Sequence, residues 1–246
     1  MTDNKKTTQQ LTVTCYDTDM AHYLKPGAFM DKAQEIANVS AESLGFGYED
    51  LQRYGTAWVL SRFEAHFLQM PRWKDVVTLE TWHKGFEGPF YVRDFRMTGT
   101  DGQPAVVATS SWLILDMATR RLLRREHLEG RLPLDTVCTD SAIENPCGKV
   151  MMAEEGLEEI AEHRVSYSDI DFVGHTNNAK YVVWAMDCLD YGQLSEHRVR
   201  SLRINFNKET LPGEVVELFR APVEGGWTVE GRVGGRSSFC AEILFD

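Results

Sequence analysis

The chain has 246 residues, 43% hydrophobic and 26% charged, a balance that excludes disordered and fibrous classes and leaves room for one large domain or two modest ones. No apolar run approaches the roughly 20 residues of a membrane-spanning helix, and the start MTDNKKTTQQLTV lacks the apolar centre of a secretory signal; a cytoplasmic protein is expected. A formal net charge of −11 argues against nucleic acid or an anionic membrane as partner, because both call for a basic surface.

In chain order, the first motif is CYDTDMAHYLKPGAFMDKAQEIANVSAESLGF, where Tyr16, Asp17, Asp19 and His22 lead into apolar residues at helical spacing: Phe29, Ala33, Ile36, Ser40 and Leu44. Pro26 near its start and Gly45 past its end predict the helix limits. Next come RFEAHFLQMPRWKDVVTLETW, FYVRDFRMTG and PAVVATSSWLILD, rich in β-branched and aromatic residues and parted by glycine turns, which is strand chemistry. Trp58, Phe63, Phe67, Trp73 and Trp112 fall where inward-facing strand residues would, and are expected in the core. TRRLLRREHLEGR then gathers Arg120, Arg121, Arg124, Arg125 and Arg131: either a solvated face or a patch for an acidic partner. Residues 124–160 lose the strand pattern and carry proline, glycine and charge, the composition of a linker.

The chain then repeats itself. YSDIDFVGHTNNAKYVVWAMDCL begins with Tyr167, Asp169, Asp171 and His175 and runs into a second helical stripe of Val182, Ala185, Met186 and Leu189. RINFNKETLPGEVVELF, WTVEGRVGG and SFCAEILFD follow as strands. The two motif starts pair Asp19 and His22 with Asp171 and His175, while aligning Arg62 with Arg203 and Pro71 with Pro212 lays Glu209 on Leu68, so the first copy keeps an aspartate and a histidine but lacks the second carboxylate and is expected to be inactive. One long helix followed by a strand meander buries both apolar faces best when the sheet wraps the helix, a hotdog unit. The expected fold is α+β: a tandem, pseudo-twofold double hotdog, with units at residues 1–123 and 161–246 joined by 124–160.

The second motif resembles the D-x-N-x-H-x-N-N-x-K-Y motif of plant and bacterial acyl-acyl-carrier-protein thioesterases. AWVLSRFEAHFLQMPRWKDVVTLETW, SSWLILDMATRRLLR and INFNKETLPGE are similar to that family's other recurring segments, in order along nearly the whole chain. The resemblance implies hydrolysis of acyl-acyl carrier protein, ending fatty acid synthesis, with catalytic Asp171 and His175 and with Glu209 on a following strand. It further implies that the first unit lines the acyl tunnel, with Trp58 a candidate wall residue. The family's asparagine is Val173 here, and the cysteine some plant members carry after the glutamate is Thr210, which excludes a cysteine nucleophile at that position.

Read on their own, these residues suit the same chemistry. Thioester hydrolysis needs a base for water and donors for the oxyanion, while a thiol of pKa about 8.5 leaves without a strong acid. Glu209 or Asp171 is the base, His175 orients and carries a proton, and backbone N–H groups near His175 and Thr176 are the expected oxyanion donors. Asn177 and Asn178 read as helix caps, and Asp169 as local structure. No cofactor or metal is expected: the seven histidines show no H-x-x-x-H pair and no cysteine cluster joins them. The five cysteines, scattered and without a C-x-x-C pair, read as reduced thiols.

The expected partner is acyl carrier protein, itself acidic, with Arg120, Arg121, Arg124 and Arg125 as a candidate docking surface and a monomer or homodimer as the working unit. The alternatives are acyl-coenzyme A hydrolysis and a non-catalytic acyl-binding protein, the latter motivated by Val173. A hotdog dehydratase fits less well, because its acid sits on the helix and Glu209 is read on a strand.

Overall fold

The computed structural model describes residues 5–128, 136–153 and 155–246. The first unit runs β1 (Lys6–Thr12), a 3-10 turn (Cys15–Asp17), α1 (Pro26–Ser43), α2 (Tyr48–Arg53), β2 (Thr56–Phe67), β3 (Val76–Glu87), β4 (Phe90–Thr98), β5 (Pro104–Asp116) and the two-residue β6 (Arg121–Leu122). The second repeats the order: β7 (Glu158–Arg164), a 3-10 turn (Tyr167–Asp169), α3 (Asn178–Asp187), α4 (Tyr191–Glu196), β8 (Val199–Phe206), β9 (Val215–Val223), β10 (Gly226–Val233) and β11 (Arg236–Phe245). β7 therefore begins inside the stretch expected as linker.

All the strands belong to one antiparallel sheet in the order β1-β3-β4-β5-β2-β8-β11-β10-β9-β7, with β6 added to β5. The order reads the same from either edge once the units are exchanged, so the pseudo-twofold axis passes between β2 and β8, where Phe63 faces Ile204 and Ala65 faces Leu202. This is the expected α+β double hotdog. Each long helix fills the concave side of its own half. Phe29, Met30, Ala33 and Ile36 of α1 and Ala179, Val182, Trp184 and Ala185 of α3 are buried in one core with Phe63, Leu79, Phe95, Ile204 and Phe239. Removing each large apolar side chain from water contributes roughly 1.5–3 kcal/mol. The helices meet at Gly27, where a Cβ would lie 2.9 Å from Val183 Cγ2; only a hydrogen there permits this approach. Trp73 departs from its expected core position: it is 42% exposed and its ring stacks on His22 at 5.8 Å.

The connecting segment crosses the back of the sheet as a strap. Trp82 Nε1 of β3 donates to Asp140 O at 2.8 Å, Asp94 Oδ2 of β4 accepts from Ala142 N at 2.7 Å, and Cys147 Sγ donates to Thr109 O of β5 at 3.0 Å. Further along, Arg62 Nη1 of β2 donates to Cys147 O at 3.1 Å, Asn205 Nδ2 of β8 to Val150 O at 3.0 Å, and Ala153 N to Thr228 Oγ1 of β10 at 3.3 Å. The strap's main chain thus pairs polar side chains that would otherwise be dried without partners on the sheet's outer face. No helix among the described residues is long and apolar enough to cross a membrane.

Candidate active site

The loop before α3 is folded around its two aspartates. Asp169 Oδ2 accepts from Ser166 N at 2.8 Å and faces His163 Nε2 at 2.9 Å; these bonds hold its carboxyl below the ordinary range against the opposing effect of burial, which is the largest single influence on it. Asp171 Oδ1 accepts from Val173 N at 2.9 Å and His175 N at 3.3 Å, and Asp171 N donates to His175 O at 2.9 Å. Gly174 takes a φ of +90° to close the turn. Asn177 caps α3, its Oδ1 accepting from Ala179 N at 2.9 Å, and with Asn178 it is bonded to Gln34 of α1, so the caps also tie the two helices together.

Glu209 lies in the loop after β8 rather than on a strand, because pairing of β8 ends at Phe206. Its neighbour Thr210, fully buried, clamps this loop to the helix entrance. Thr210 O accepts from Thr176 N at 3.3 Å and Thr176 Oγ1 at 3.0 Å, the two threonine hydroxyls lie 2.7 Å apart, and Thr210 N donates to Tyr181 Oη at 2.9 Å. The residues that follow His175 and Glu209 are therefore stapled together, and His175 Nε2 and Glu209 Oε2 lie 3.5 Å apart, each side chain about one-third exposed. Burial pushes the Tyr181 hydroxyl up, keeping it a neutral donor. A threonine directly after His175 and another directly after Glu209 are the signal for this clamp that the sequence offered.

Two expectations change. The N–H groups of His175 and Thr176, expected to await an oxyanion, are spent on Asp171 and Thr210. Arg120, expected on a docking face, is paired with Glu209: its Nη1 is 3.2 Å from Glu209 Oε1. Its turn is built for this reach. Asp116 Oδ1 accepts from Thr119 N and Oγ1 at 2.7 and 2.8 Å, Arg120 N donates to Asp116 O at 2.8 Å, and Arg120 takes a φ of +56°, an uncommon conformation for a non-glycine residue. Glu209 thus has one oxygen toward a guanidinium of the first unit and the other toward the imidazole. Arg121 and Arg124 are exposed and, among the described residues, make no ion pair; the side chain of Arg125 and all of Arg131 lie outside the described residues.

Val173 points outward, 42% exposed, and contributes its backbone N–H to the loop. Phe172 beside it meets Tyr48 of α2 edge-on at 5.2 Å between ring centroids. Two residues before Tyr48, Phe46 helps line a cavity of about 60 Å³ inside the first hotdog, together with Trp58, Tyr91, Arg93 and Trp112. Trp58 Nε1 donates to Phe46 O at 2.9 Å. Arg93 is buried, its guanidinium pushed down to about 10 by desolvation and its Nη1 3.2 Å from Thr81 Oγ1.

The repeat is real but its register differs from the expected one. Asp19 Oδ1 accepts from Ala21 N and Tyr23 N, both at 2.9 Å, and Asp19 N donates to Tyr23 O, so Tyr23, not His22, is the counterpart of His175. His22, with φ +66°, matches Gly174. Leu24 N donates to Pro71 O as Thr176 N does to Thr210 O, and Val13 N to Asp75 O as Val165 N does to Glu214 O; Glu209 therefore matches Met70 rather than Leu68. Aligning the two prolines misled, because Pro71 and Pro212 stand at different distances from the acidic-Val-Val sequences that actually superpose.

Family models for the acyl-ACP thioesterase N-terminal and C-terminal domains match residues 4–127 and 153–232. A chloroplastic oleoyl-acyl carrier protein thioesterase of Coriandrum sativum is 23% identical over 239 residues, covering 87% of this chain and 62% of that protein. A chloroplastic palmitoyl-acyl carrier protein thioesterase of Gossypium hirsutum is 26% identical over 180 residues, 69% of this chain and 43% of that protein; the match thus spans about two-fifths to three-fifths of these relatives' length. Among solved structures, an acyl-ACP thioesterase from Bacteroides thetaiotaomicron superposes over 100% of both chains with a TM-score of 0.90 at 23% identity. The 12:0-ACP thioesterase from Umbellularia californica superposes over 98% of this chain and 97% of that chain, with a TM-score of 0.86 at 19% identity. With both family models matched in order, on the double hotdog that carries the clamped histidine and glutamate, the chain belongs to the acyl-ACP thioesterase family.

Proposed function

We propose that the chain is a cytoplasmic thioesterase that hydrolyses acyl-acyl carrier protein to a free fatty acid and the holo carrier. The carrying observation is the 3.5 Å approach of His175 Nε2 to Glu209 Oε2, clamped by Thr176 and Thr210, in a member of this family.

In this reading Glu209 is the base. Asp171 Oδ1 is occupied by two loop N–H groups, and Asp19 does the same work in the unit without the histidine and glutamate, so Asp171 positions His175. Glu209 takes a proton from water as the water oxygen attacks the thioester carbon. The C–S bond of the tetrahedral adduct then breaks, and the sulfur leaves as thiolate to take up the proton by way of His175. Because the two nearest amides are spent, the charge available to the oxyanion is that of Arg120 and of His175 while it holds the proton. The acyl chain lies along Phe46 and Trp58. Exposed Arg121 and Arg124, on a chain of net charge −11, favour an acidic carrier protein over coenzyme A. All these groups come from one chain, so the reading needs no second copy and fits a monomer or a homodimer.

Turnover of acyl-carrier substrate by Glu209→Gln tests it. A fall of about 10³ or more with an unchanged melting temperature is expected; undiminished turnover removes Glu209 from the mechanism and favours a non-catalytic acyl-binding role.

A further inference from the structure

The first unit keeps a cleft at the pseudo-symmetric place. It has a volume of about 940 Å³ and is walled by Met20, Tyr23, Met70, Val183, Met186 and Tyr191, a size that suits a small-molecule ligand. Tyr23 and Met70 stand where the second unit has His175 and Glu209, so this cleft lacks that pair. Met20 and Tyr191, counterparts of Phe172 and Tyr48, are 43% and 70% exposed, leaving an apolar lip open to solvent.

The cations of this cleft are uncommitted and its acids mostly are not. Arg72 and Arg198 both pack on the Tyr23 ring, at 4.7 and 4.4 Å from its centroid, and among the described residues neither makes an ion pair. Asp17 is paired with Lys32 at 2.9 Å, Asp19 holds its own loop, and Asp31 accepts from Asn177 Nδ2 at 3.4 Å. Burial raises Asp31 and Asp187 toward their neutral forms, and Glu196 stands at the end of α4.

We propose that this cleft is a second, non-catalytic site that binds a fatty carboxylate, with the chain on Met20, Met70, Val183 and Met186 and the head group on Arg72, Arg198 and the Tyr23 hydroxyl. The choice of occupant rests on the hydrolytic reading, because that reaction releases such an acid beside a protein with a free site for it. A phosphate-headed amphiphile shares the chemistry.

Calorimetric titration of the full chain with dodecanoate below its micelle concentration tests the site, with dodecyl phosphate and dodecanol as comparison ligands. Arg72→Ser with Arg198→Ser, and separately the surface change Met20→Glu, are expected to weaken one class of dodecanoate site at least tenfold, while Glu209→Gln keeps it. Dodecanol is expected to bind at least tenfold more weakly than dodecanoate. Unchanged dodecanoate binding in both variants, or equal binding of dodecanol, overturns the proposal; tighter binding of dodecyl phosphate by tenfold overturns the choice of carboxylate. The titration needs no turnover, so an inactive enzyme that binds dodecanoate at this site refutes hydrolysis alone, and an active one that does not refutes the second site alone.

Discussion

Tyr23 stands in the first unit where His175 stands in the second: each is four residues past an aspartate whose N–H it accepts and whose Oδ1 it bonds, at 2.9 Å for Tyr23 N and 3.3 Å for His175 N. One backbone loop is thus used twice, presenting an imidazole that faces a carboxylate in the second unit and a phenol in the first. The Thr176–Thr210 clamp is the other difference, since Leu24 and Pro71 at the matching places carry no hydroxyl.

Restoring the residue types without the clamp is not expected to restore turnover. Tyr23→His with Met70→Glu, added to Glu209→Gln, should leave the rate within about twofold of Glu209→Gln alone, because an unclamped pair loses the alignment on which catalysis depends. A rate rising by 10² or more, measured with a small thioester, would mean that the clamp is dispensable.

Asp171→Asn keeps an oxygen that accepts from the loop N–H groups. If the aspartate positions His175, kcat should fall about tenfold or less, whereas loss of a base costs typically 10²–10⁴. Asp171→Ala, which removes the acceptor, should fall further and lower the melting temperature.

Arg120 and its neighbours should separate by substrate. Arg120→Gln frees Glu209 Oε1 and is expected to lower kcat about tenfold on a small thioester and on carrier-bound substrate alike. Arg121→Glu with Arg124→Glu should instead lower the ratio of kcat/KM for carrier-bound to small substrate about tenfold, through weaker steering of an acidic partner. Equal effects of the two changes on that ratio would dissolve the distinction.

Asp140 gives the strap an acid limit. Its hydrogen bond from Lys6, with a second contribution from Arg96, holds its carboxyl down to about 2, against an ordinary value of about 3.9. A depressed folded-state value means the contribution is present above about pH 4 and is lost as pH falls toward about 2. The carboxylate is 38% exposed, so solvent screening keeps the contribution under about 1 kcal/mol. Asp140→Asn should flatten the melting temperature between pH 4 and pH 2 and cost little at pH 7; an unchanged acid slope would place the effect elsewhere.

The long helix was legible because Pro26 and Gly45 bracket a 3.6-residue stripe, and the approach of His175 to Glu209 was expected from the resemblance of the two motifs that carry them. Hydrogen-bond partners were not legible. Whether His175 N–H is free depends on how Asp171 turns, and the partner of Arg120 lies 89 positions along the chain. The repeat register failed for a related reason: matching prolines are a coincidence of composition, while matching N–H to O=C pairs are a property of the folded loops.

The strap from Asp140 to Ala153 touches strands of both units, so neither half-sheet can open its outer face without releasing bonds that also hold the other. The back-crossing thus adds to the β2–β8 pairing and the common core in binding the two duplicated modules into one cooperative body, for which a single calorimetric transition is expected.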